Sequence, residues 1–238
     1  MDRDEIVISY YRVRQALGWL GLSLPVLLIA GGVLSVGGVE PSISDYYHTV
    51  LRDVFVGVMT SIAIFLIAYP GHRSGVGEFI SDDKMTTLAG LAAFGVAFLP
   101  NEKAGVFETE SVSQLMMGVR AAAIGHYTCA LIFLSALTWI CLRKFTRTAK
   151  PWRRRIYRAC GWTIAAMTVG VLVTSAVRVG GVAPFDRVVE DWMLILWCEA
   201  IAVWAFSLAW LTKGRADQSL ARMLHLTTRR DSGIAAGE

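Results

Sequence analysis

The chain has little charge. Of its 238 residues only 18% are Asp, Glu, Lys or Arg, against about a quarter in a typical soluble domain. With 55% hydrophobic residues and a mean hydropathy of +0.51, the surface of a water-soluble fold could not be covered. A soluble enzyme domain, a nucleic-acid-binding module and a disordered scaffold are therefore excluded. Cysteine is scarce as well. Cys129, Cys141, Cys160 and Cys198 all fall inside apolar runs, with no CxxC and no zinc-ribbon spacing, so they read as small buried hydrophobes. Histidine numbers four, and neither HExxH nor HxxxH occurs.

What is present is a set of six apolar blocks, close to the roughly 20 residues a bilayer-crossing helix needs. They cover about 17–38, 54–69, 85–99, 121–142, 159–179 and 192–211, and none holds a mid-span Lys or Arg. The second and third are short and must borrow a turn from their flanks. The blocks are continuously apolar rather than alternating, which favours helices over barrel strands. The predicted fold is therefore all-α: a bundle of six transmembrane helices over 16–213, with a polar arm at 1–15 and a polar tail at 214–238.

Basic residues retained on the cytoplasmic side set the orientation. The arm, the 71–84 and 143–158 connections and the stretch from Lys213 onward carry 18 of the 23 Lys and Arg, leaving five for the alternate connections. Both termini are thus predicted to be cytoplasmic, in a plasma (inner) membrane. The positive net charge describes this one face, so no nucleic-acid partner is implied. The run from Arg143 to Arg158 reads as a retention signal touching anionic headgroups, its cytoplasmic partner unspecified. The first block is too long for the core of a cleavable signal peptide, and no small-residue cleavage site follows it.

Helices in lipid associate through close packing and hydrogen bonds. Ala89, Ala93 and Ala97, with Gly90 and Gly95, form a small-residue stripe, and Asp53, Gly57 and Ser61 form a polar face expected to point into the bundle. Four tryptophans in the sixth block, Trp192, Trp197, Trp204 and Trp210, place their outer members at the interfaces.

Ionisable groups within a bilayer are costly, so their positions point to function. Glu199 lies about 12 Å beyond Asp191 and His126 about 9 Å beyond Arg120, at 1.5 Å per residue. Both depths are measured from the non-cytoplasmic side. On that side the first connection gathers Glu40, Ser42, Ser44, Asp45, Tyr46, Tyr47, His48, Arg52 and Asp53, and Asn101-Glu102 follows the third block. Acid, base and hydroxyl groups converging at one end are what a ligand or catalytic site requires. The candidate catalytic residues are His126, Glu199, Asp45 and His48, with Ser44, Arg52 and Asn101 for headgroup contacts. Each has a plain structural alternative: Asp45 as a cap, His48 and His126 as hydrogen-bonders, Glu199 as a lock on His126 or Arg52. Zinc held by His48, His126 and Glu199 is one reading of the cluster, and bis-histidine haem is disfavoured because nothing else supports it. His72 and His225 read as solvated loop residues.

The order of these residues resembles the six-span membrane proteins typified by the damage-regulated autophagy modulators, with the glycosylphosphatidylinositol lipid-remodelling proteins as relatives. That family has Pro-x-Ile-Ser-Asp after its first span, matched by Pro41-Ser42-Ile43-Ser44-Asp45. An acidic residue after the third span is matched in Asn101-Glu102, a His opening the fourth in His126, and a Glu before aromatics in the last span in Glu199. Tyr46-Tyr47-His48 departs from the small or Gly residues that often follow the first motif, and a bacterial-looking branch of six-span proteins fits equally well. The resemblance covers about 15–213 and implies lipid remodelling or membrane-lipid organisation.

The leading expectation is thus a six-helix protein binding or remodelling a lipid at the outer leaflet, by acyl-ester or amide hydrolysis or transfer if it is an enzyme. His126 would be the general base, Glu199 its orienter or a metal ligand, and Arg52 a phosphate contact. A non-catalytic scaffold or regulator is the chief rival. A small proton-coupled transporter using Glu199 is the third class, although no Pro–Gly interruption stands out. Oligomeric state, a homo-oligomer included, is left open.

Overall fold

The computed structural model describes residues 3–69, 80–103, 111–147 and 149–215. His72, His225 and the 216–238 tail lie outside these residues. Among the described residues every regular element is helical. The long helices are α1 (Arg3–Gly31), α2 (Arg52–Ile67), α3 (Asp82–Phe98), α5 (Val119–Trp139), α6 (Pro151–Gly180) and α8 (Leu194–Lys213). Two short helices, α4 (Val112–Met117) and α7 (Phe185–Asp191), precede α5 and α8. α1 runs through Pro25 without a break and ends in a π-helical turn over Gly32–Val36.

Four segments are long and apolar enough to cross a bilayer: Tyr11–Ser35, Val119–Phe145, Pro151–Gly180 and Leu194–Lys213. α2 and α3, at 16 and 17 residues, fall short of the usual crossing length. Outward faces carry large exposed apolar side chains, among them Leu27, Ile64, Leu91, Leu131, Val169 and Leu208. Such a surface suits lipid and not water.

Each long helix packs on the next in the chain, and α8 returns to α1, so the six close into a ring, α1–α2–α3–α5–α6–α8. Neighbours run antiparallel. Gly18 of α1 lies against Leu211 and Gly21 against Ser207, while Gly95 of α3 lies against Cys129 and Gly125 of α5 against Leu99. The small-residue stripe of α3 serves this packing: Ala89, Ala93 and Ala97 are fully buried. A Cβ on Gly90 would come within 2.7 Å of the Ala63 carbonyl of α2, so only glycine permits that approach.

One expectation about the face of a helix fails. The Asp53–Gly57–Ser61 face of α2 points outward: Asp53 and Gly57 are exposed, and the Ser61 hydroxyl donates to the Gly57 carbonyl at 2.8 Å. Phe55, Met59, Ile62 and Leu66 turn inward instead, because the ring needs bulk at its centre and a serine can satisfy itself on its own helix. Trp210 turns into the bundle. It is fully buried, its ring edge-on to Tyr69 at 5.0 Å and to Phe145 at 5.1 Å. Trp192, by contrast, is exposed at the end of α7.

The polar arm is not a separate element, since α1 is helical from Arg3. The basic connection is shorter than the charge run suggests, because α6 begins at Pro151 and takes Arg153, Arg154, Arg155 and Arg158 into its first turns. At this basic end Lys144 is buried against Asp82 at 3.1 Å and donates to the Ile80 carbonyl, and Arg14 donates to the Tyr69 hydroxyl at 2.9 Å.

Candidate functional site

The opposite end of the ring is built around the connection from α1 to α2. Pro41-Ser42-Ile43 leads into a 3-10 turn over Ser44–His48. Ser42 Oγ accepts the Ser44 N–H at 3.1 Å, which starts the turn locally. Glu199 of α8 completes that start from across the bundle. Its Oε2 accepts the Ser42 hydroxyl at 2.8 Å and the Ile43 N–H at 2.7 Å. The Leu196 N–H donates to the Pro41 carbonyl at 3.0 Å beside it. The last helix therefore clamps the first connection with three hydrogen bonds.

So held, the turn presents Ser44 to α5. Ser44 Oγ is 2.8 Å from His126 Nε2, and His126 Nδ1 is 2.6 Å from the Leu99 carbonyl oxygen. A carbonyl only accepts, so Nδ1 carries a proton, and in the neutral ring Nε2 accepts the Ser44 hydroxyl hydrogen. His126 and Ser44 are both buried. His126 does not touch Glu199; the two are joined through Ser44 and Ser42. The group orienting the imidazole is the Leu99 carbonyl, where Glu199 was expected.

Asp45 caps nothing. Its Oδ1 accepts from the Asn101 amide at 2.6 Å, while Oδ2 is buried without a hydrogen bond, 3.9 Å from Arg178 Nη1. Burial pushes the Asp45 carboxyl above its ordinary range, outweighing the Asn101 hydrogen bond and the Arg178 charge that pull it down. Asn101 Oδ1 is likewise buried and unpartnered.

One cavity of about 810 Å³ collects these groups. Ser42, Ser44, Asp45, Asn101, His126 and Glu199 line its polar end. Its apolar part runs between α5 and α6, with Ala130, Leu131 and Leu134 on one wall and Val171 and Leu172 on the other. Just beyond α5, at the basic end, Leu142 lies against Gly161 of α6 and Phe145 packs on Tyr157 at 5.3 Å, and the cavity opens between the helices towards the other end.

Two expected members stand elsewhere. His48 Nε2 donates to the Asn101 carbonyl at 3.0 Å and faces a separate depression with Glu40 and Lys103. It braces the 101 segment and does not line the cavity. Arg52 turns back on its own connection, donating to the Tyr47 carbonyl at 2.6 Å with its guanidinium 4.6 Å over the Tyr47 ring. The cation at the cavity is instead Arg178, in the last turn of α6, which also meets Glu190 at 3.3 Å. Its signal in the sequence was a basic residue ending an apolar block on the side poor in basic residues. Tyr127, next to His126, also lines the cavity. Glu199 is shallower than expected, about 7.5 Å into α8 at 1.5 Å per residue, because Trp192 and Met193 break α7 from α8.

For metal, no three His, Cys, Asp or Glu side chains converge among the described residues. His48, His126 and Glu199 are each committed to different partners. No family model, curated protein or solved structure matches the chain.

Proposed function

We propose that the protein is a multi-pass inner-membrane protein that binds a lipid at the outer leaflet and remodels it by hydrolysis or transfer of an acyl ester or amide. In this reading α2 and α3 complete six spans, both termini are cytoplasmic, and the site end faces out, following the distribution of Lys and Arg. The observation that carries the reading is the two-part cavity. Leu131, Leu134, Val171 and Leu172 offer an acyl chain an apolar slot between α5 and α6, and the slot leads to Ser44, His126, Glu199 and Arg178. A polar site reached along a lipid-facing slot suits a substrate that arrives from the bilayer. The resemblance to lipid-remodelling proteins points the same way.

Filling the slot tests it. Leu172→Trp and Ala130→Trp, purified in mild detergent, should lose the lipid that native mass spectrometry finds on the unaltered chain while keeping its unfolding transition. Equal lipid occupancy in all three proteins sinks the reading.

One observation favours a non-catalytic scaffold: Glu199 serves as an interhelical fastener on Ser42 and Ile43. Replacing His126, which that fastener does not use, separates the two. Loss of lipid turnover with the fold intact supports a site, and loss of the fold alone supports a scaffold.

A further inference from the structure

We propose that Ser44 is a nucleophile, activated by His126, that takes an acyl group from the bound lipid as a covalent ester. This deepens the lipid reading above and rests on it for the identity of the acyl donor. The arrangement has the parts such a step needs. The Ser44 hydroxyl lies 2.8 Å from a ring nitrogen free to accept, and the ring is fixed by a 2.6 Å bond from its other nitrogen to the Leu99 carbonyl. That carbonyl holds the tautomer with Nε2 unprotonated, and it stabilises the imidazolium that forms when Nε2 takes the proton. Ser44 Oγ makes no other hydrogen bond among the described residues, so its remaining lone pairs face the cavity that it lines.

The steps balance. Ser44 Oγ attacks the acyl carbonyl carbon as its proton passes to His126 Nε2. The carbonyl carbon–oxygen bond to the leaving alcohol then breaks, and that oxygen takes the proton from Nε2. Water, or the hydroxyl or amine of a second molecule, attacks the Ser44 ester with its proton going to His126. Ser44 Oγ leaves and recovers that proton. Arg178 and Tyr127 line the same cavity and are the side-chain donors this step would draw on for the oxyanion. Glu199 is a positioning residue here. It acts through Ser42 and Ile43 to keep the turn, and so Ser44, against His126.

A small fluorophosphonate probe reports on this step without any lipid. The full chain in detergent micelles is treated with the probe, digested and analysed by mass spectrometry. The adduct is expected on Ser44, to be absent in Ser44→Ala, and to form about 100-fold or more slowly in His126→Gln, the scale of a general base. Its rate should also fall at low pH as the imidazole takes a proton. Ser44→Cys supplies a second measurement that keeps His126 in place: its thiol, beside the imidazole, should be alkylated faster than the native Cys129 of the same chain. No adduct on Ser44 in chain that keeps its unfolding transition overturns the proposal, as does an adduct rate indifferent to His126. Failure of the lipid reading looks different: Ser44 labels normally while the tryptophan variants leave lipid binding unchanged.

Discussion

Replacing Glu199 by Leu should loosen the whole site end. The substitution removes the acceptor of two hydrogen bonds, from the Ser42 hydroxyl at 2.8 Å and the Ile43 N–H at 2.7 Å. Interhelical hydrogen bonds in bilayers average about 0.6 kcal/mol and reach about 1.7 kcal/mol. Two of them give a loss of about 1–3 kcal/mol. Glu199→Gln keeps a carbonyl oxygen for the same donors, and its loss should stay below about 1 kcal/mol. Unfolding in mixed micelles, followed by tryptophan fluorescence, measures both. A double-mutant cycle with Ser42→Ala should give a coupling above about 0.5 kcal/mol, since the two side chains are in contact. Unfolding of Glu199→Leu together with the unaltered chain, or simple additivity of the two substitutions, would show that these bonds hold nothing.

Further outcomes follow from other parts of the structure. Gly90→Ala should cost about 1–3 kcal/mol, because the new methyl meets Ala63 and Ile67 of α2. Gly57→Ala, with nothing within 4 Å, should be neutral or slightly stabilising in the same unfolding assay. Burial raises the Asp45 carboxyl above its unfolded value, so the native state holds the proton more tightly. That contribution is complete below the unfolded pKa and is lost as pH rises through the folded one. Stability measured against pH should therefore fall less steeply over this range in Asp45→Asn. Asp82→Ala removes the 3.1 Å ion pair of Lys144, whose side chain is 5% exposed, while its hydrogen bond to the Ile80 carbonyl stays, and should lower stability by about 1.5–3 kcal/mol, read as a shifted unfolding midpoint.

Much of the frame was legible in the chain. Continuous apolar runs can be nothing but helices where every backbone group must be satisfied within the segment, and α5, α6 and α8 lie where those runs do. Ser44, Asp45 and Asn101 were legible as site candidates because alternate connections gather at one end of an antiparallel ring, and His126 and Glu199 because ionisable groups inside apolar helices are costly. The rotation of each helix was not. In water an apolar face turns inward, but in lipid both faces are apolar, so the Asp53–Gly57–Ser61 pattern did not show that Phe55 and Met59 fill the centre. Nor could residue types tell that His48 and Arg52 would turn back on their own connections. Carbonyls such as those of Leu99, Asn101 and Tyr47 set these side chains, and backbone acceptors leave no trace in composition. Arg178 escaped because its role depends on how far α5 and α6 part.

The hydrogen bond from Ser42 to Glu199 joins residues 157 positions apart. At about 5–20 residues per second of synthesis, the serine-bearing segment waits roughly 8–30 s for the carboxylate that holds it. Until α8 leaves the ribosome and slots beside α1, a nascent chain carries a half-made pocket. Any chemistry at that pocket is thereby withheld until α8 is in place.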